Sequence, residues 1–388
     1  MSSPNPKMLK WAREQAGLNL HEAAKKLGLK SARFSPEEVL MMFELGEKVP
    51  TQNQLGNFAK VYHRPLISFY LEKPPVIANK GDDFRTLYNA PDPLENATVN
   101  TLIRDVHVRQ KIVKEALIDS DSAISLPFIG TLKNDTTVSE AASFVIDTFK
   151  IDISTYRKQK DAHSAFNFLR NAIEDNGIFV LLIGNLGSHH SNISVNYFRG
   201  FALSDPIAPF IVINDNDSKY AWCFTLLHEL VHLLIGNTGI SNASIDNLVE
   251  KYCNDIASQV LISDDEFKSI GDIHSLPMDA LVENISELSI KFNVSSSMIA
   301  YRLFTQGKID KNNWEYISDF FLKKWLASKE ENNSGKSSGA YYPTKRHKVG
   351  KALSNLVKRS IIDGVLTETK ASKVLGVSSG NVIELVGL

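Results

Sequence analysis

The chain has 388 residues and a formal net charge of -1, with 43% hydrophobic and 22% charged residues, which suits an ordinary soluble protein of two or three domains. So even a charge balance gives no global pull toward nucleic acid, although individual segments differ. Two cysteines, Cys223 and Cys253, a start (MSSPNPKMLKW) without signal-peptide character and no apolar run of membrane-spanning length point to a reducing cytoplasm, with neither a disulfide framework nor a membrane partner.

Residues 1–75 read as a helical unit. MLKWAREQAG is a helix with Pro6 near its start and Gly17 at its end, and NLHEAAKKLGL is a shorter one closed by Gly28. Further helices follow in FSPEEVLMMFELGEKVPT and QLGNFAKVYHRPLISFYL, separated by the breakers Gly46 and Pro50. The succession resembles the XRE type of helix-turn-helix. A DNA-reading helix places Arg, Lys, Asn or Gln toward the bases, whereas this one offers Ser35, Glu37, Glu38, Met41, Met42 and Glu44. Its glutamates repel phosphate, so two uses stand open: DNA binding, and a fold retained for protein docking or autoinhibition.

Residues 76–100, poor in periodicity and rich in Pro, Asn and Asp, read as a linker in which Arg85 is a candidate anchor. Residues 101–330 form the largest unit. It opens with an amphipathic helix, TLIRDVHVRQKIVKEALI, and two more helices lie in VSEAASFVIDTFK and DAHSAFNFLRNAIEDNG. After Gly177 the period changes, and IFVLLI, ISVNYF, GFAL and PFIVIN read as short strands of a small sheet. His189 and His190, adjacent in the loop GSHHSN, read as solvated side chains rather than a second metal site.

The stretch SKYAWCFTLLHELVHLLIG, from Ser218 to Gly236, is apolar at nearly every position except His228, Glu229 and His232. A helix hydrophobic all round belongs inside a core, and two imidazoles with a carboxylate there would cost several kcal/mol unless paired or metal-bound. At 3.6 residues per turn the two histidines, four apart, lie one above the other and can share one cation. Glu229 sits about 100° round the helix from His228, close enough to take a proton from a metal-bound water without becoming a ligand. The following helix, IDNLVEKYCNDIASQVLI, carries Glu250 and Asn254 on one face at i, i+4, so Glu250 can supply a third ligand while Asn254 holds a supporting partner. Cys223 and Cys253 fall on apolar helix faces and read as packing. The strand from Arg199 to Leu203 (Arg199, Gly200, Phe201, Ala202, Leu203) is the candidate edge on which an extended substrate pairs its backbone.

FTLLHELVHLLIG, with NGIFVLLIG, FRGFALSD and PFIVINDNDS before it and VEKYCNDIASQVLIS after it, resembles the ImmA/IrrE family of metallopeptidases. The resemblance implies a compact gluzincin-type domain with one Zn2+ per chain, held by His228, His232 and Glu250, with Glu229 as general base and Asn254 matching the family's Asn. It departs from the family at Cys253 and Ile256, where Ala and Phe are frequent. Coupling to an XRE-type module is a known arrangement of the family. The implied activity is cleavage of a cytoplasmic protein, a repressor or similar regulator, in a stress or mobile-element response. The competing reading is a DNA-binding transcriptional regulator whose zincin domain acts as a sensor. Residues 282–309, with VS-x-x-x-I-x-x-RL, resemble the family's closing helices, expected to pack on the zincin.

ENNSGKSSG places a flexible linker at 331–340. Residues 341–388 read as a separate basic helical module, with eight Lys or Arg against three acids and a helix, Gly-containing turn, helix rhythm in LTETKASKVLGVSSGNVIEL. The expected fold is therefore mainly α with a small β-sheet (α+β): an XRE-like helical domain, a gluzincin-type domain and a small helical C-terminal module.

Overall fold

A computed structural model describes residues 3–75, 93–133, 135–187, 191–195, 197–236, 243–268, 270, 273, 276–333 and 340–388. The fold is mainly α with one three-stranded sheet, and the chain divides into two compact units.

The first unit contains α1 (Pro6–Gln15), α2 (Leu20–Leu27), α3 (Pro36–Leu45), α4 (Gln52–Val61) and a 3-10 turn (Leu66–Tyr70). Capping boxes start α2, α3 and α4: Asn19, Ser35 and Thr51 each accept from the backbone three residues on, and Glu22, Glu38 and Gln54 reach back. The apolar faces meet around Phe58, which lies edge-on to Phe43, Tyr62 and Phe69. On α3, Glu37 pairs with His21 at 2.5 Å and Glu44 with Arg13 at 2.7 Å, while Met41 and Leu45 are exposed.

α5 (Pro93–Asp119) runs from the first unit into the second. It starts eight residues before the expected helix, inside the expected linker, because Pro93 at the start and Glu95 in the first turn both favour a helix N-terminus. Arg85 lies outside the described residues.

The second unit continues with α6 (Val138–Phe149), α7 (Ile153–Arg157), α8 (Ala162–Glu174), β1 (Phe179–Leu182), β2 (Gly200–Leu203), β3 (Phe210–Ile213), α9 (Lys219–Ile235) and α10 (Ala243–Leu261). The strand order is β1-β3-β2, with β1 parallel and β2 antiparallel to the central β3. Among the described residues of ISVNYF there is no strand, and Tyr197 N–H bonds Ser194 C=O at 3.0 Å, a turn contact. Period-2 alternation turns Val180, Leu182, Ile211 and Ile213 toward α9, whose Leu226, Leu227 and Leu230 share their core. Phe179 and Phe210 pack with their rings tilted, centroids 5.0 Å apart, on the opposite face. Gln110 of α5 donates to the carbonyls of Leu203 at 3.0 Å and Ala208 at 2.9 Å, closing the C-terminal end of β2.

α9 is the centre of this unit, packed by α8, α10, β2 and β3. Ser218 caps its start, accepting from Ala221 N–H at 3.2 Å, and Gly236, at φ 69°, ends it in the left-handed region. The segment at 130–132 ties down that end, with Gly130 N–H on Leu233 C=O at 3.1 Å and Leu132 N–H on Leu234 C=O at 2.9 Å.

After α10 come α11 (Asp264–Lys268), α12 (Met278–Phe292), α13 (Ser296–Thr305) and α14 (Lys311–Asn333). Ile285, Phe292, Ile299 and Leu303 join the α9 core, so 282–309 packs on the same core as the helix of His228 and His232. Buried Arg302 ties α13 to the end of α10, donating to Ile262 C=O and Asp264, both at 2.5 Å. The C-terminal helices α15 (Tyr341–Val349), α16 (Lys351–Ile362), α17 (Glu368–Leu375) and α18 (Val382–Val386) lie in this second unit too, and α15 and α16 pack on β1. Their attachment is polar and buried. Arg170 of α8 donates to the carbonyls of Val180, His347 and Lys348, and Glu174 accepts from Lys351 N–H at 3.0 Å and Ala352 N–H at 3.2 Å, which caps α16 from a distance.

Candidate metal centre

α9 brings His228 and His232 onto one face, with their Nε2 atoms 2.9 Å apart. α10 lies alongside and delivers Glu250, one carboxylate oxygen 3.3 Å from His228 Nε2 and the other 3.3 Å from His232 Nε2. His228 and His232 are buried and Glu250 is half-buried. Among the described residues this is the group of His, Cys, Asp and Glu able to hold a metal ion, with its donor atoms within 4.8 Å of one another.

The donor set fits zinc. Two imidazole nitrogens and one carboxylate are a hydrolytic zinc set, and ligand distances of about 2.0–2.1 Å in a tetrahedron put donor atoms about 3.3 Å apart, close to the spacings here. A cation between two buried ring nitrogens and a carboxylate also offsets the cost of bringing those groups together out of water.

Glu229, next to His228 on α9, is buried, and its carboxylate comes up against β2. Gly200 of β2 lies directly over it: a Cβ at Gly200 would stand 2.8 Å from Glu229 Oε1 and 2.7 Å from Thr225 Cγ2. The candidate substrate strand therefore runs across the residue expected to act as base, on an edge of the sheet. Its alternation splits the candidates. Gly200 and Ala202 pair with Ile213 and Ile211 and share their face toward α9, whereas Phe201 and Leu203 pair with Val212 and Phe210 on the other. Arg199 precedes the strand, its Nε 3.8 Å from Asp217 Oδ2.

Asn254 lies half-buried on α10, one turn beyond Glu250. The neighbour that sequence reasoning missed is Cys253, whose Sγ lies 3.6 Å from His232 Nδ1, on the ring nitrogen that points away from the cluster. Its spacing of three from Glu250 was the available signal, since i and i+3 share a helix face. Cys223 is a packing residue, its thiol pushed up to about 12 by burial. His189 and His190 lie outside the described residues. In the basic tail, Arg346 binds the carbonyls of Leu385 and Glu384, Lys348 pairs with Asp215 at 2.5 Å and Lys358 binds Gly387 C=O, so part of the positive excess holds the fold together.

A buried helix with His228 and His232 four apart, packed against a small sheet and met by Glu250 from the next helix, is an arrangement that points to a zincin-like metallopeptidase domain. Residues 188–304, from before β2 into α13, match the model of the Peptidase_M78 family, described as the IrrE N-terminal-like domain. No curated protein and no solved structure matches the chain. Among the described residues no helix is long and apolar enough to cross a membrane.

Proposed function

We propose that the chain is a zinc-dependent endopeptidase that cleaves a cytoplasmic protein, a repressor or similar regulator, in a stress or mobile-element response. The observation that carries the reading is the convergence of His228, His232 and Glu250 on one point, beside a buried Glu229 and under an edge strand. His228, His232 and Glu250 would hold one zinc ion per chain. When bound, zinc supplies Lewis acidity, lowering the pKa of a water and polarising a carbonyl. Glu229 accepts the proton of the attacking water and returns it to the leaving amine. β2 aligns an extended segment of the substrate protein by backbone pairing, with Gly200 and Ala202 keeping the α9-facing side of that strand low. Cys253 and Asn254, on the helix that carries Glu250, support the ligand set from behind. The class of substrate rests on the family resemblance, and the first unit is proposed as the part that recognises a partner, protein or DNA.

The test is a comparison of proteins in cells producing wild type or Glu229→Gln. The amide keeps the shape but accepts no proton, so metal should stay while cleavage falls at least ~100-fold. Proteins that shorten with wild type alone would be the substrates. Identical shortening in both cultures would remove Glu229 from the chemistry and the peptidase reading with it.

A further inference from the structure

We infer that Gly200 is a positioning residue for Glu229: the side chain it lacks leaves the space in which the base's carboxylate is held. This rests on the metallopeptidase reading and extends it to the strand that crosses the site.

Glycine at 200 has no backbone reason. Its φ is not among the positive values of the chain's glycines, and it sits in a regular strand paired with Ile213, where a glycine weakens the strand and a β-former would do better. The reason is space. A Cβ there would lie 2.7 Å from Thr225 Cγ2, 2.8 Å from Glu229 Oε1 and 3.0 Å from Glu229 Cγ, against about 3.5–4.0 Å for relaxed carbon contacts.

None of the surroundings yields easily except the carboxylate. β2 is fixed to β3 from Gly200 to Leu203, and the chain leading into it is anchored by Asn214, whose N–H bonds Arg199 C=O at 2.8 Å and whose side chain bonds Phe198 C=O at 2.9 Å. Thr225 is 2% exposed on the central helix, and its branched side chain has few rotamers there. α9 is packed on several sides and cannot back away. A methyl group at 200 would therefore press on both Thr225 and Glu229, and the longer, unbranched Glu229 side chain gives way further, so that its carboxylate is displaced while His228 and His232, which face Glu250, keep their places.

The experiment uses the full chain loaded with zinc and acetohydroxamate as probe, a chelator of zinc whose proton a neighbouring carboxylate accepts. Zinc content is measured by elemental analysis and acetohydroxamate affinity by calorimetry for wild type, G200A, E229Q and G200A/E229Q. G200A should keep its zinc and bind the probe about tenfold more weakly, the scale of one hydrogen bond to a charged group. In the E229Q background G200A should change affinity less than about twofold, because the partner it acts through is already gone. Should G200A not fold, G200A/T225S carries the same comparison, since the serine removes the methyl group that the new Cβ meets at 2.7 Å. The inference is overturned if the variant binds the probe like wild type, if it loses zinc, or if the loss is equal in both backgrounds. A wild type that takes up no zinc overturns the metallopeptidase reading first, and the inference with it.

Discussion

Glu174→Ala should destabilise the second unit by about 4 kcal/mol, because breaking a buried ion pair costs about 3–5 kcal/mol when one charge is left behind. Arg170 and Glu174 are 4% and 2% exposed, with Arg170 Nε 3.1 Å from Glu174 Oε1. Burial is the largest influence on both: it holds the Glu174 carboxyl above its ordinary range and the Arg170 guanidinium below its own, even though each draws the other back. The alanine also uncaps α16 by leaving Lys351 N–H and Ala352 N–H without their acceptor. Urea unfolding followed by tryptophan fluorescence should show the midpoint falling by about 1 M, for a slope of a few kcal/mol per M. Arg170→Met/Glu174→Met should recover part of the loss, since no lone charge stays buried. A loss below about 1 kcal/mol in the single variant, or a double variant worse than the sum of the singles, would refute the argument.

The same contact predicts a pH dependence. Burial first, then Arg170, His163 and Lys219, lower His347 to about 4 against the pull of Asp215. An unfolded imidazole protonates near about 6.5, so below that pH the unfolded chain binds a proton that the folded one refuses. Stability should therefore fall as pH drops from about 6.5 to about 4, and His347→Gln should flatten the curve; wild-type stability that rises on acidification would contradict the assignment. Gly236→Ala should cost about 2–5 kcal/mol, combining left-handed strain with overpacking. Its φ is 69° and a Cβ would stand 2.6 Å from Gly130 Cα. Gly28→Ala, at φ 63° with nothing within 4 Å, should lose only the strain, about 1–2 kcal/mol, and equal losses at both positions by thermal melting would contradict the contact.

The candidate centre was legible because its signals are local and costly. Polar side chains at i and i+4 inside an apolar helix, and a carboxylate on an amphipathic helix just after it, restrict the chemistry before any tertiary contact is known. The strands GFAL and PFIVIN were legible by length, β-branching and flanking breakers. Contacts between distant parts of the chain left no such trace. Glu174 caps a helix that starts 177 residues later, and nothing in the spacing of either segment announces it. The basic excess of the tail marked a separate helical module, yet Arg346, Lys348 and Lys358 spend part of it on bonds within the fold. Gly200 looked like one residue of a candidate edge, and its meaning appears only when Glu229 is found beneath it. The start at Pro93 was hidden by the Pro and Asn content around it, although proline in a first turn is itself a helix signal.

The central claim is most directly tested by the zinc content of the purified chain and its ligand variants. Wild type and Glu229→Gln should each carry about one zinc per chain, the stoichiometry of a site with three protein ligands. His228→Ala, His232→Ala and Glu250→Ala should lose most of it while their circular dichroism stays that of the folded protein. Full zinc retention in His232→Ala, or loss from Glu229→Gln equal to that of the histidine variants, would contradict the account.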